Sequence, residues 1–218
     1  MLCRQDGNHP SLMAISLMNT LQILFIAGFF WFTCVSSTAG QAEVPTSNAQ
    51  LSLPISGVVE RYPPYDDFCR RHPEECDLSG ANVVAFSDDL VHELHKVNLA
   101  VNMEIRFAFD ANQYGTEEYW ALPSSGYGDC EDLALEKRSR LAASGLPRGA
   151  LRLAIVFHKR HLNSHCVLTV ETSRGTYILD SYTNSVCRWD KTPYNYEVRE
   201  RADGQWDRFD QSDWRYDD

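Results

Sequence analysis

A basic stripe is missing from this sequence. Its 218 residues hold 20 Lys and Arg against 30 Asp and Glu, a formal net charge of −10, whereas a surface that grips phosphates needs clustered cations. Nucleic acid is excluded as a partner. Internal repeats are absent too, and so is the small residue that normally precedes a lipid-bearing cysteine, because Thr33 stands before Cys34 with Trp31 and Phe32 ahead of it. That excludes a lipid anchor. Residues 40–61 have few large apolar groups and much Ser, Pro, Thr, Gln and Ala, so they read as a flexible leader.

What is present begins with a long apolar stretch, "LMAISLMNTLQILFIAGFFWFTCVSSTAG". It ends in small residues, and Ser37-Thr38-Ala39 has the form that signal peptidase reads, with Gly40-Gln41-Ala42 as a second candidate. Residues 1–39 are therefore expected to be a signal peptide, which places the protein in the periplasm or the medium. The rival reading is an uncleaved anchor from Leu12 to Val35 that holds it to the inner membrane, facing the periplasm; its Ser, Asn, Thr and Gln make that a poor spanning helix. Removing residues 1–39 leaves 19 basic and 29 acidic residues, so the acidity belongs to the folded part. It also leaves five cysteines: Cys69, Cys76, Cys130, Cys166 and Cys187.

The domain is expected over residues 62–206. In "PPYDDFCRRHPEECDLSG" the two cysteines are close enough for a turn to join them, and an exported chain favours their oxidation, so a structural Cys69–Cys76 disulfide is expected. "SDDLVHELHKVNLAVNMEI" reads as a helix with Ser87 as its cap and Leu90, Leu94, Val97 and Val101 on one face. An irregular aromatic wall follows, with Trp120 in the core. "GYGDCEDLALEKRSRLAASG" then starts a helix at Cys130 and stops it at Gly145. "ALRLAIVFHKR", "HCVLTVETS" and "TYILDSYT" read as three strands, the last two joined by a short turn. A helix followed by an antiparallel sheet gives an α+β order. Residues 207–218, rich in Asp and aromatics, read as a solvated tail.

Cys130 stands at a helix N-terminus, where unpaired amides favour a thiolate. Asp129, Glu131 and Asp132 oppose it, since nearby carboxylates disfavour another negative charge. A cation must offset them, either a histidine or a bound divalent ion. If the hairpin loop after "HCVLTVETS" has two residues, paired positions sum to an odd number, and His165 and Asp180 then share one face as a diagonal pair roughly 7–8 Å apart at Cα. Cys130 would attack, His165 would take and return the proton, Asp180 would orient the imidazole, and the Cys130 amide would be an oxyanion donor. Cys166 must face the other way, as a buried thiol. His158, His161, His165 and Cys166 also invite a zinc reading, but as a set they do not share one strand face.

These motifs, "YGTEEYWALPSSGYGDCEDLALEKRSRL", "HCVLTV" and "GTYILDS", with "FCRRHPEEC" and "VNLAVN" upstream, resemble the bacterial transglutaminase-like cysteine proteinases, which include the LapG-type periplasmic proteases. The chain is similar to a short, cysteine-paired branch of that family. The resemblance implies a papain-like, transglutaminase-like α+β domain with Cys130, His165 and Asp180 as nucleophile, base and orienting acid. It implies calcium held by the acids flanking the nucleophile, here Asp129, Glu131 and Asp132. It further implies a protein substrate at the cell surface, such as an adhesin clipped near its N-terminus, and a membrane receptor that senses cyclic di-GMP and restrains the enzyme. The chain departs from the pattern at Cys166, where a small residue is usual, and at Ser181, where Asn is common. Amide transfer on the same fold, and a non-catalytic binding module, are the competing functions; the protein is read as a monomer.

Overall fold

The computed structural model describes residues 52–161, 163–212 and 214–216. The expected signal peptide and most of the leader lie outside them. No helix among the described residues is long and apolar enough to cross a membrane.

The chain enters as strand β1 (Ile55–Val59) and helix α1 (Pro63–Arg71), with prolines at the helix start where no amide partner is lost. Helix α2 (Asp88–Glu104) follows. The Ser87 side chain accepts the Leu90 amide at 3.1 Å, and Leu94, Val97, Asn98 and Val101 form its buried stripe. Strand β2 (Arg106–Phe107), the single turn α3 (Asp110–Gln113) and strand β3 (Tyr127–Gly128) lead to helix α4 (Cys130–Ala143). Gly145, at φ +101°, ends α4, where the Leu146 amide reaches back to the Leu141 carbonyl at 3.1 Å. The remaining strands are β4 (Leu151–His158), β5 (Ser164–Thr172), β6 (Gly175–Leu179), β7 (Cys187–Arg188), β8 (Tyr194–Glu200) and β9 (Trp206–Phe209).

Seven strands form an antiparallel sheet in the order β1-β9-β8-β4-β5-β6-β7. Helices α1, α2 and α4 pack on one face, where Tyr65, Phe68, Leu94, Val101, Trp120, Leu135, Leu153, Leu168 and Trp206 make the main core. A smaller cluster of Val156, Val167, Ile178, Tyr194, Tyr196 and Phe209 lies on the other face. Trp120 is core, as expected. The order is α+β.

Two ends of the domain differ from the sequence expectation. Val58 and Val59, expected in the leader, are paired to Asp207 and Trp206, and the segment expected as a solvated tail begins inside β9. Acidity misled there: Asp207 is buried because Arg199, 2.8 Å away, and Arg201, 2.9 Å away, neutralise it. Arg199 also holds Glu171 at 2.5 Å. A second buried pair joins Arg138 of α4 to Glu200 of β8 at 2.7 Å, with Tyr65 Oη donating to the same carboxylate. It ties the helix that begins with Cys130 to the sheet. Cys69 and Cys76 form the expected disulfide between α1 and the turn after it.

Candidate active site

The β5–β6 hairpin decides whether His165 and Asp180 meet. Thr172 pairs with Gly175, so the loop is Ser173–Arg174, two residues long, and paired positions sum to an odd number. Gly175, expected in the turn, is the first residue of β6 at φ +110°. The parity puts His165 and Asp180 on one face, two positions out of register. His165 Nε2 and Asp180 Oδ1 are 2.8 Å apart and both residues are buried. Since an ionised carboxylate only accepts, Nε2 carries the proton and Nδ1 presents a lone pair. Nδ1 is buried and has no partner among the described residues.

Asp180 is held by four further hydrogen bonds. Tyr194 Oη donates to Oδ2 at 2.5 Å, and the Tyr182 amide donates to Oδ1 at 2.9 Å. The Asp180 amide donates to Asn98 Oδ1 at 3.1 Å, and Asn102 Nδ2 donates to the Asp180 carbonyl at 3.0 Å. Burial alone would raise this carboxyl, but the bonds from His165, Tyr194 and Tyr182 outweigh it and hold it below its ordinary range. Asn98 and Asn102, one turn apart on α2, also bind the Thr183 carbonyl at 2.9 and 3.2 Å, which pins the loop beyond β6. Tyr182 stacks on the His165 ring with 4.0 Å between centroids.

Cys130 is the first residue of α4, and its Sγ accepts the Cys166 amide at 3.3 Å. That bond sets the thiol beside the strand position next to His165. Cys166 itself is buried on the helix-covered face, as its alternation with His165 requires. The thiol also lies 3.2 Å from Glu131 Oε2. Burial first, then the Glu131 charge, push the Cys130 thiol well above its ordinary range. Of the three flanking acids, Glu131 acts against the thiolate in the way its sequence position suggests.

Of the three acids expected around a cation, Asp129 and Glu131 come together, while Asp132, repelled by Asp129 and Asp110, has one oxygen engaged by backbone and the other, Oδ2, buried without a partner among the described residues. Asp132 is fully buried and accepts the Ala121 amide on Oδ1 at 2.7 Å. Burial pushes it up to about 8, and a Cβ on Gly128 would lie 2.9 Å from its Oδ2, so glycine is required beside it. Asp110 takes the third place. One carboxylate oxygen from each of Asp110, Asp129 and Glu131 lies within 4.8 Å of the others. Burial, with repulsion from Asp129, lifts Glu131 to about 9; burial chiefly lifts Asp110 to about 6. Asp110 Oδ1, Asp129 Oδ1 and Asp132 Oδ2 are buried without a hydrogen-bond partner among the described residues. Asp129 gives the helix no side-chain cap. Hard oxygens crowded and unpaired in this way fit a divalent cation such as calcium. His158 Nδ1 accepts the backbone amides of Arg160 and His161 at 3.1 and 3.3 Å.

Sequence reasoning missed Asp110, Tyr182, Tyr194, Asn98 and Asn102. "VNLAVN" carried the two asparagines at helical spacing, which was the available signal; a two-residue parallel pairing of β2 with β3 brings Asp110 to Asp129, and nothing local announces it.

The family described as bacterial transglutaminase-like cysteine proteinase matches residues 57–213. Solved structures of Legionella pneumophila LapG are similar. The calcium-bound one is 26% identical, over 56% of this chain and 73% of that chain, at a TM-score of 0.48. The EGTA-treated one is 26% identical, over 56% of this chain and 69% of that chain, at 0.49. No curated protein sequence matches.

Proposed function

We propose that this chain, which belongs to the bacterial transglutaminase-like cysteine proteinases and is a cysteine peptidase, is an exported endopeptidase that cuts a cell-surface or periplasmic protein, such as an adhesin, with a Cys130–His165–Asp180 triad. One observation carries the triad: His165 gives one ring nitrogen to Asp180 at 2.8 Å and keeps the other, buried and unpaired, for a proton. Cys130 Sγ passes its proton to Nδ1 and attacks the substrate carbonyl carbon. The Cys130 amide, at the open end of α4, donates to the oxyanion. His165 then returns the proton to the leaving nitrogen, and water, deprotonated by the same imidazole, releases the acyl group from sulfur. Asp180 and Tyr194 keep the ring in the tautomer that this requires.

Asp110, Asp129 and Glu131 would hold calcium, which supplies positive charge beside a thiol otherwise surrounded by acids. Export is supported by the apolar amino-terminal stretch and by the Cys69–Cys76 disulfide, which belongs to an oxidising compartment. Restraint by a membrane receptor that senses cyclic di-GMP is proposed from the resemblance to the family, which includes the LapG-type proteases.

The reading is tested with a thiol-directed acylating probe on the exported protein, followed by mass mapping. Labelling at Cys130, lost in His165→Ala, is expected; labelling elsewhere, or undiminished in His165→Ala, overturns it. A labelled primary amine included with a cleavable protein separates hydrolysis, which leaves new carboxyl termini, from amide transfer, which attaches the label.

A further inference from the structure

A groove of about 480 Å³ lies on the helix-covered face of the sheet, lined by Val59, Ile155, Val198, Trp206 and Tyr62 together with Glu60, Arg61 and Glu197. Its position follows from strand register. Ile155 is the cross-strand partner of Cys166, whose amide holds Cys130 Sγ, so the groove starts one rung from the nucleophile. Ser164, next to His165, lines it as well. From there it crosses β4, β8, β9 and β1, at right angles to the strands.

Its floor is apolar and its walls are charged. Arg61 is already engaged: Nη1 pairs with Asp66 at 3.1 Å and Nε donates to the Gly204 carbonyl at 3.0 Å. Glu60 and Glu197, the first exposed and the second half-buried, have no ion pair or hydrogen bond among the described residues. Two uncompensated carboxylates over an apolar floor select a segment with one apolar and one cationic side chain.

The geometry points to this groove as the specificity subsite of the peptidase: it seats an extended segment of the substrate on one side of the scissile bond, an apolar side chain on Ile155 and Val198 and a lysine or arginine between Glu60 and Glu197. The inference rests on the peptidase reading of Cys130. Exposed ion pairs are individually weak, so the preference is several-fold and not absolute.

The test uses the full exported protein and a library of peptides made by digesting a bacterial proteome with a glutamate-specific protease. Cut positions are read by mass spectrometry in wild type, in Cys130→Ser and in the double variant Glu60→Lys/Glu197→Lys. Wild type is expected to show Lys and Arg enriched about fivefold at one fixed offset from the cut. The double variant should lose that enrichment and gain Asp and Glu there, and labelling of Cys130 by the acylating probe checks that the variant has folded with its nucleophile in place. Cuts without basic enrichment, or with the same enrichment in the double variant, overturn the subsite and leave the peptidase standing. Cuts equal in wild type and Cys130→Ser overturn the peptidase reading and the subsite with it.

Discussion

The Tyr182 ring lies on the His165 ring at 8° between planes, and its hydroxyl accepts from Asn163 Nδ2 at 3.2 Å. Extending the β5–β6 register places Tyr182 directly opposite His165, so the stack is a product of the same pairing that delivers Asp180. It covers the face of the base and limits its rotation.

Tyr182→Ala should lower kcat by roughly three- to tenfold, the equivalent of an aromatic pair's 0.5–1.5 kcal/mol, with little change in KM. Tyr182→Phe keeps the ring and should keep the rate. The pH–rate profile separates positioning from folding: in Tyr182→Ala its acid limb should move, whereas equal losses in both variants would assign the residue to loop stability.

Cys130→Ser should remove cleavage, since a hydroxyl of similar shape is a far weaker nucleophile at this site. Asp180→Asn should fall by roughly 10²–10⁴-fold, because an amide in that place can hold the wrong tautomer of His165. Both should fold, and circular dichroism with single-turnover cleavage checks the pair; an Asp180→Asn rate within a factor of two of wild type would remove Asp180 from the mechanism.

How far the sequence reveals this site depends on the range of the interactions. Cys130 and its helix were legible because Gly145 at its end and the apolar spacing along it act within a few residues. His165 and Asp180 followed from one assumption about loop length. The rest depends on pairings between distant segments: Asp110 reaches Asp129 through β2 and β3, and Tyr194 reaches Asp180 from β8, with no periodic pattern to predict either. Asp132 shows what sequence adjacency hides: its Oδ1 is engaged by the Ala121 amide, a contact between distant segments that its flanking residues do not announce.

Calcium should be read at Asp110, Asp129 and Glu131. Chelation should lower both activity and melting temperature, and calcium, but not magnesium at equal concentration, should restore them, since the smaller ion demands near-ideal octahedral geometry. Asp110→Asn should reproduce the chelated state without chelator. Indifference to chelation in calorimetry and in cleavage would leave these acids as helix-end residues.

The Cys69–Cys76 bridge closes a loop with a sequence separation of 7. Loop-closure entropy assigns it about 2 kcal/mol. Cys69→Ser/Cys76→Ser should therefore unfold at lower denaturant concentration with cleavage unchanged, because the bridge ties α1 to its following turn and touches no triad residue. A large loss of kcat at full occupancy of the folded state would give it a role in the site.

Lys137 is the last residue with an unusual position: it is 1% exposed, on α4, in the core beneath the sheet. Burial pushes its ammonium down to about 7 from an ordinary 10.5, against the opposing attraction of Asp180. The sign follows from proton counts. Between about 7 and 10.5 the unfolded chain binds a proton that the folded chain does not, so stability rises with pH across that window. Below it both states carry the charge and folding bears the whole desolvation penalty. Lys137→Met fills the same volume without the charge, so it should be more stable than wild type at pH 6–7, by about 1–4 kcal/mol. The gap should narrow as pH approaches 10. Urea unfolding of both proteins across this range measures it directly, and a Met variant that is less stable with an unchanged pH slope would mean that Lys137 stays charged in the fold and contributes through that charge.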